Sequence, residues 1–260
     1  MHARDHVTPL LLTFDEAPNL ERTLRSLAWA RRIVILDSGS GDATESIARG
    51  DGRVSWFVRA FDGHAAQWSH AIRATGIETE HVLALDADMC VTDAVLAEIE
   101  ATYLGGGFDG ALVPFEYRTF GRRLLGSVYP AQLRLFRRAA VEVRQRGHTQ
   151  VFEVPGRVLS LRARVVHDDR KPVERWVGSQ LRYAELEAGR LAGAPPRAWD
   201  LLRRAGLSAP LAGLAAYARA GGPLAGRAAL LYAHERATFE ALLAMRLLRD
   251  RLRPADDPGR

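Results

Sequence analysis

The sequence predicts an α/β fold: a mixed, mainly parallel sheet with helices on both faces, followed by a C-terminal helical appendage. Three observations carry this. Strand-like runs ending in acidic residues alternate with helical periodicity through the first hundred residues. The runs are apolar throughout instead of alternating, which is the pattern of strands buried on both faces. From about Ala194 the composition turns to Ala, Leu and Arg with no further strand pattern. At 260 residues with 47% hydrophobic content, the chain suits one α/β domain with an appendage. The expected organisation is an N-terminal tail over 1–6, the main domain over 7–194 and a helical region over 195–260.

Val7 to Phe14 is apolar and ends in Asp15-Glu16, after which Pro18-Asn19 open a segment with Leu20, Leu24, Leu27 and Ala28 at helical spacing. Arg32 to Asp37 repeats the unit: a strand ending in Asp, then Ser38-Gly39-Ser40-Gly41-Asp42, which can turn sharply and cap a helix beginning near Ala43. Val54 to Val58 is a third strand, and Gln67 to Ala74 lies on a helix. The next run, His81 to Asp88, ends in two carboxylates one residue apart. In open α/β sheets ligands gather at the carboxyl ends of the strands. Carboxylate oxygens are hard ligands suited to Mg2+ or Mn2+, ions that keep part of their coordination for water and substrate phosphates. A solvated strand end gives the same pattern. So does the nucleophile and acid pair of a haloacid dehalogenase-type phosphatase, although that pair ends the first strand of its core and here at least two βα units come before it.

Three pieces in order, Thr13-Phe14-Asp15-Glu16-Ala17-Pro18-Asn19-Leu20, Leu36-Asp37-Ser38-Gly39-Ser40-Gly41-Asp42-Ala43-Thr44 and Leu85-Asp86-Ala87-Asp88, resemble the motifs of the family 2 glycosyltransferases of the GT-A fold. The resemblance covers roughly residues 7 to 115. It is nearest to the branch that builds lipopolysaccharide core, whose second motif reads LDSGS. It implies inverting transfer of a sugar from a nucleotide-sugar donor, a UDP-sugar by family default. It also implies a donor nucleotide site at Thr13, Phe14, Glu16, Asp37, Ser38, Gly39, Ser40, Asp86 and Ala87. In that site Glu16 and Asp37 hold base and ribose, Asp86 lies near the donor, and Asp88 binds a metal on the diphosphate.

Such a reaction builds negative charge on the departing diphosphate, which a divalent ion stabilises, and inversion needs one general base on the opposite face of the sugar. The downstream half holds one dense polar cluster, Val165-Val166-His167-Asp168-Asp169-Arg170-Lys171-Pro172, after a predicted strand over Val158 to Val166 and before a predicted helix from Val173 to Leu191. The resemblance makes His167 a further metal ligand and leaves Asp168 and Asp169 as base or acceptor contacts; a solvated turn capping the next helix is the alternative. Gln67, Arg73, His148, Gln150, Arg170 and Lys171, the only lysine of the chain, are candidate acceptor or diphosphate contacts. Two departures from the family pattern stand out. Gln150 occupies a position where relatives often carry a Glu, and an amide cannot take a proton; Gln67-Trp68-Ser69 replaces a basic residue and an Asn.

Cys90 is single, so no intramolecular disulfide can form. No secretory signal is visible in Met1 to His6 and the run that follows. The formal net charge of +5 rests on Arg and is weak support for nucleic-acid binding; no zinc spacing, Walker loop or RNA-binding signature is present, so no nucleic-acid partner is expected. Pro195-Pro196 mark a boundary. Beyond it, Ala205 to Ala218 is uncharged over 14 residues and contains Pro210. A bilayer core needs ~20 residues, so this suits an interfacial segment better than a span. Gly221-Gly222-Pro223 then precede a helix reaching about Leu252. Residues 199–260 hold 10 Arg against 6 Asp plus Glu, leaving +4 of the chain's +5 there. These features predict a cytoplasmic protein held peripherally on the inner face of the bacterial inner membrane, serving a lipid-linked or glycolipid acceptor. A helical pair packed on the main domain, a dimer interface and a non-catalytic nucleotide-sugar or membrane-binding scaffold are the alternatives.

Overall fold

The computed structural model describes residues 2–104, 107–146, 149–193, 195 and 197–252. The chain divides into two units, residues 1–121 with 129–171, and residues 122–128 with 172–260. In the first unit β1 (Val7–Thr13), α1 (Ala17–Ser26), β2 (Ile33–Asp37), α2 (Thr44–Arg49), β3 (Val54–Val58), α3 (His64–Ala74) and β4 (His81–Asp86) alternate as the sequence predicts. They are followed by β5 (Met89–Cys90), α4 (Asp93–Leu104), β6 (Gly110–Val113) and β7 (Phe115–Thr119). After the two-residue β8 (Arg122–Arg123) of the other unit come β9 (Gln132–Arg137), β10 (Glu142–Arg146), β11 (Thr149–Glu153), β12 (Val158–Ser160) and β13 (Val165–His167).

The main sheet has the order β12-β6-β9-β4-β1-β2-β3, and β9 alone runs antiparallel to its neighbours β4 and β6. Successive residues of the central strands feed opposite faces. Leu11, Ile35 and Leu83 pack with Leu20 and Leu24 of α1 and Val95 and Ile99 of α4, whereas Leu10, Val34 and Val82 pack with Trp68 and Ile72 of α3. Each such fully buried side chain contributes about 1.5–3 kcal/mol, so the two-faced burial is what holds the strands in parallel register. The α/β class, the mainly parallel sheet and the helices on both faces are as expected from the sequence.

The run Val158 to Val166 is not one strand. β12 pairs with β6 in the main sheet, while β13 lies between β5 and β7 in a second, smaller sheet. The break occurs where the Glu98 carboxylate of α4 accepts the N–H groups of Arg162 (2.9 Å) and Ala163 (2.7 Å) and turns the chain. This switch of sheet carries His167 beside Met89, immediately after the acid pair.

The second unit contains α5 (Val173–Gly193), α6 (Ala198–Arg204), α7 (Ser208–Arg219), a 3-10 turn (Gly222–Leu224) and α8 (Gly226–Leu252). Helix α5 buries Ala184, Ala188 and Leu191 against Leu243 of α8 and groups with the C-terminal helices. Arg203 bonds Glu240 at 2.7 Å and Glu187 at 2.9 Å, an internal ion network tying α6 to α8 and α5. Among the described residues no helix is long and apolar enough to cross a membrane.

Candidate active site

The first two strand ends are knitted into one surface. Asp37 is buried and accepts four hydrogen bonds: from the Thr13 hydroxyl (2.7 Å), the Gly39 N–H (2.8 Å), the Ser40 N–H (2.7 Å) and the Ser40 hydroxyl (2.5 Å). Gly39 has φ +93°, a left-handed conformation that a side chain disfavours, and this lets the loop fold back on Asp37. The Ser40 hydroxyl accepts the Asp15 N–H at 2.6 Å, and Asp15 in turn accepts the Gly41 N–H at 2.6 Å. Ser38 donates its N–H to the Thr13 carbonyl, and its hydroxyl accepts a hydrogen bond from Gln67 at 3.0 Å. Loop 38–42 is thus pre-shaped by the carboxylate at its base, and Phe14 stands half-exposed beside it.

The acid pair after β4 has two different environments. Asp86 forms a two-pronged ion pair with Arg134 of β9, at 3.0 Å to one guanidinium nitrogen and 3.4 Å to the other. Burial favours its neutral form, but the Arg134 charge and hydrogen bonds outweigh that and hold the carboxyl below its ordinary range. Ala87 is buried, with its carbonyl accepting the Thr23 hydroxyl at 2.7 Å. Asp88 is 7% exposed, and burial, followed by the nearby negative charges of Asp169 and Asp86, pushes its carboxyl up against the pull of His167 and Lys171. Its Oδ1 is buried without a hydrogen-bond partner, and its Oδ2 lies 3.7 Å from His167 Nε2.

An orphaned carboxylate oxygen costs about 1–3 kcal/mol or more unless something satisfies it. A hard cation such as Mg2+ or Mn2+ fits that oxygen, and the imidazole beside it suits Mn2+ better than Mg2+. Among the described residues no three His, Cys, Asp or Glu side chains converge on one point, so Asp88 and His167 would supply two ligands and leave the others to water and phosphate. The His167 ring is tilted against Tyr117 at 4.7 Å between centroids, which fixes its orientation.

The segment after β13 is held by α1. Asp168 is 1% exposed and accepts from Arg22 (2.9 Å), from Arg170 (2.7 Å) and from the Gly121 N–H (3.1 Å). Its oxygens are committed to the fold. Asp169 is only partly covered; its Oδ1 accepts from Asn19 Nδ2 (2.8 Å) and the Lys171 N–H (3.1 Å). Its Oδ2 makes no hydrogen bond or ion pair among the described residues. Burial raises its carboxyl, but the Lys171 ammonium and the Asn19 hydrogen bond more than offset this and hold it below the ordinary range. Lys171 Nζ lies 2.7 Å from Glu16 and 3.6 Å from Asp169, and with Asp88 these carboxylates raise its pKa despite burial. Glu16 is pushed up to about 7, first by burial and then by Asp88, against the attraction of Lys171.

The strand ends therefore bring Glu16, Asp88, Asp169 and Lys171 together, with His167 at Asp88 and Arg170 beside Asp168. Gln67 is wholly buried, bonding Ser38 and Arg59, so it shapes the loop from behind and is not exposed to a ligand. Arg73 is exposed in the last turn of α3, and among the described residues no hydrogen bond or ion pair joins it to this cluster. Gln150 lies opposite Gln145 in the β10–β11 ribbon, and His148 falls outside the described residues. Three residues that bond the carboxylates of the site are not among those expected from the sequence: Asn19, Arg22 and Arg134. The signal for Arg134 is a charge inside the apolar strand Leu133-Arg134-Leu135-Phe136.

Solved structures align with this chain. The crystal structure of S. aureus TarS 1-349 aligns over 94% of this chain and 91% of its own, with 13% identity and a TM-score of 0.50. Its complex with UDP-GlcNAc aligns over 94% and 92%, with 14% identity and a TM-score of 0.50. Glucosyl-3-phosphoglycerate synthase from Mycobacterium tuberculosis, in complex with Mn2+, UDP and phosphoglyceric acid, aligns over 75% and 81%, with 13% identity and a TM-score of 0.45. The sheet order, with its single reversed strand, is a GT-A architecture. This sets aside the phosphatase reading of the acid pair, because the model of glycosyl transferase family 2 matches residues 10–163, a span that contains both knitted loops, the Asp86–Asp88 pair and Arg134. With more than half of its length matched, the chain belongs to glycosyl transferase family 2.

Proposed function

We propose that this chain is an inverting, divalent-cation-assisted glycosyltransferase that moves a sugar from a nucleotide-sugar donor to a lipid-linked or lipopolysaccharide-core-type acceptor at a membrane surface. The observation that carries the cation-assisted part is the buried, unpartnered Oδ1 of Asp88 beside His167. A divalent cation bound there supplies Lewis-acid stabilisation of the departing diphosphate. Asp88 and His167 hold it, and the loop shaped by Asp37, together with Thr13, Phe14, Ser38, Gly39 and Ser40, receives base and ribose. Asp86 is oriented toward the donor by Arg134. A UDP-sugar is the favoured donor because it is the family default, and the TarS complex with UDP-GlcNAc is in keeping with it.

Asp169 is the base. Its lowered pKa keeps it ionised at neutral pH, and among the described residues no donor meets its Oδ2 to compete with an acceptor hydroxyl. It takes that hydroxyl's proton as the acceptor oxygen attacks the anomeric carbon from the face opposite the diphosphate, which gives inversion. Lys171 balances the carboxylates around it, and Glu16 completes the nucleotide side. A lipid or glycolipid acceptor follows from the resemblance to the lipopolysaccharide core branch and from the cationic, leucine-rich second unit.

The test is a thermal-shift panel of UDP-, GDP- and CMP-sugars with Mn2+, Mg2+ or chelator, followed by transfer assays with the stabilising donor, because a ligand that binds the folded state raises its stability with concentration. A shift for one nucleotide class that requires the cation is expected. No shift with any nucleotide sugar, or an equal shift in chelator, would count against the donor and cation assignments respectively.

A further inference from the structure

We propose that one face of the second unit, made by α7 and the Gly222–Leu224 turn, docks on an anionic lipid surface. Leu207, Leu211, Leu214 and Ala218 recur at spacings of four, three and four residues, which puts them on one line of a helix. The three leucines are 56%, 44% and 68% exposed, and Leu224 at the tip of the turn is 87% exposed. The packed side of α7 lies elsewhere: Ala216 is buried, and a Cβ on Gly213 would stand 3.2 Å from Ala237 of α8. Helix α7 therefore has one face against α8 and a second apolar face that no described residue covers.

Charge decides what covers it. Residues 201–234 contain four Arg and no Asp or Glu. Arg203 is consumed by Glu240 and Glu187, and Arg204 donates to the Leu191 carbonyl at 2.7 Å. Arg219 and Arg227 remain exposed, on either side of Leu224 in the chain. A second copy of the chain seated on this face would bring arginine against arginine. A neutral apolar partner would leave the arginines unanswered. A bilayer with anionic headgroups accepts leucines below the headgroup level and arginines at it, with the helix lying in the interface.

This rests on the membrane part of the functional reading and not on its chemistry. The experiment uses neither donor nor acceptor, so its failure would leave sugar transfer standing. Full-length protein is floated on vesicles of phosphatidylcholine, with and without phosphatidylglycerol. Binding is expected on the anionic vesicles and is weakened by salt. Leu211→Gln with Leu214→Gln should lower the bound fraction about tenfold or more, from the lost apolar insertion. Arg219→Gln and Arg227→Gln should each cost about fivefold, on anionic vesicles only. Leu186→Gln, an equally exposed leucine on α5, should change nothing. Unaltered melting of each variant confirms that the fold is kept. Absence of binding, binding equal on both vesicles, or binding indifferent to the stripe substitutions overturns the proposal. So does a concentration-dependent dimer that Leu211→Gln with Leu214→Gln abolishes, which would make a second copy the occupant.

Discussion

Glu16 offers the most direct test of the electrostatics that the site imposes. Its carboxyl lies at about 7 against an ordinary value of 4.5, because burial and Asp88 disfavour the charge more than Lys171 favours it. The displacement from 4.5 to about 7 corresponds to roughly 3 kcal/mol. The folded chain binds this proton more tightly than the unfolded chain does. Its stabilising contribution is therefore complete below about pH 4.5 and is lost as the pH rises through about 7.

Glu16→Gln keeps the shape but cannot titrate; Lys171 and Asn19 meet different oxygens of the native carboxylate at 2.7 and 3.0 Å, so the amide oxygen answers one of them and the cost of facing the other with an NH2 does not vary with pH. The stability difference between variant and native chain should be nearly flat at the acid end. It should then shift in favour of the variant by up to about 3 kcal/mol as the pH rises from about 4.5 to about 7, and level off above that. Taking the difference cancels most of the opposite trend from Asp86 and Asp169, whose lowered values make them lose stabilisation as the pH falls. Urea unfolding of both proteins across this range, in chelator, reads the curve. A difference independent of pH, or a variant that loses ground on the alkaline side, would refute the burial account of Glu16.

Three further perturbations separate the roles of neighbouring charges. Asp88→Asn should abolish Mn2+ binding by calorimetry and lower turnover by orders of magnitude, while melting stays unchanged or rises because a buried unpaired carboxylate oxygen has gone; turnover that is unchanged and insensitive to chelator would remove the metal role. Asp168→Asn should destabilise the chain by about 2–4 kcal/mol by stranding Arg22 and Arg170, both partly exposed, whereas Asp169→Asn should spare stability and donor affinity and lose transfer. The opposite pattern in denaturation and transfer assays would exchange the two assignments. Arg134→Leu should release Asp86 from its ion pair and weaken affinity for UDP, measured by calorimetry; undiminished affinity would make the Asp86–Arg134 pair a matter of folding alone.

The strand-end acids were legible because a parallel strand buried on both faces announces itself as an unbroken apolar run, and Val7 to Thr13, Ile33 to Asp37 and His81 to Asp86 all do so. What the sequence conceals is whatever a distant element decides. Arg134 faces Asp86 because β9 inserts antiparallel between β4 and β6, a pairing no local pattern specifies. Val158 to Val166 reads as one strand because Glu98, more than sixty residues upstream, supplies the acceptor that breaks it. Asp168 and Asp169 are indistinguishable as letters. One turns toward Arg22 of α1 and the other toward Lys171, so adjacent carboxylates become a staple and a candidate base.

Asn19 is the sharpest case of this concealment, and it explains why α1 belongs to the site. In the sequence it opens a helix after a proline and belongs to the first motif, with no contact assigned to it. In the fold it is wholly buried, and both ends of its amide are used. Nδ2 donates to Glu16 Oε2 at 3.0 Å and to Asp169 Oδ1 at 2.8 Å, while Oδ1 accepts from Arg22 at 3.0 Å and from the Arg170 N–H at 3.0 Å. An aspartate here would meet two carboxylates, and a lysine would meet a guanidinium. A short neutral side chain with a donor end and an acceptor end answers both neighbours without adding charge to a cluster already balanced around a single lysine. The helix that follows the first strand thereby fixes the orientation of a carboxylate 150 residues later in the chain.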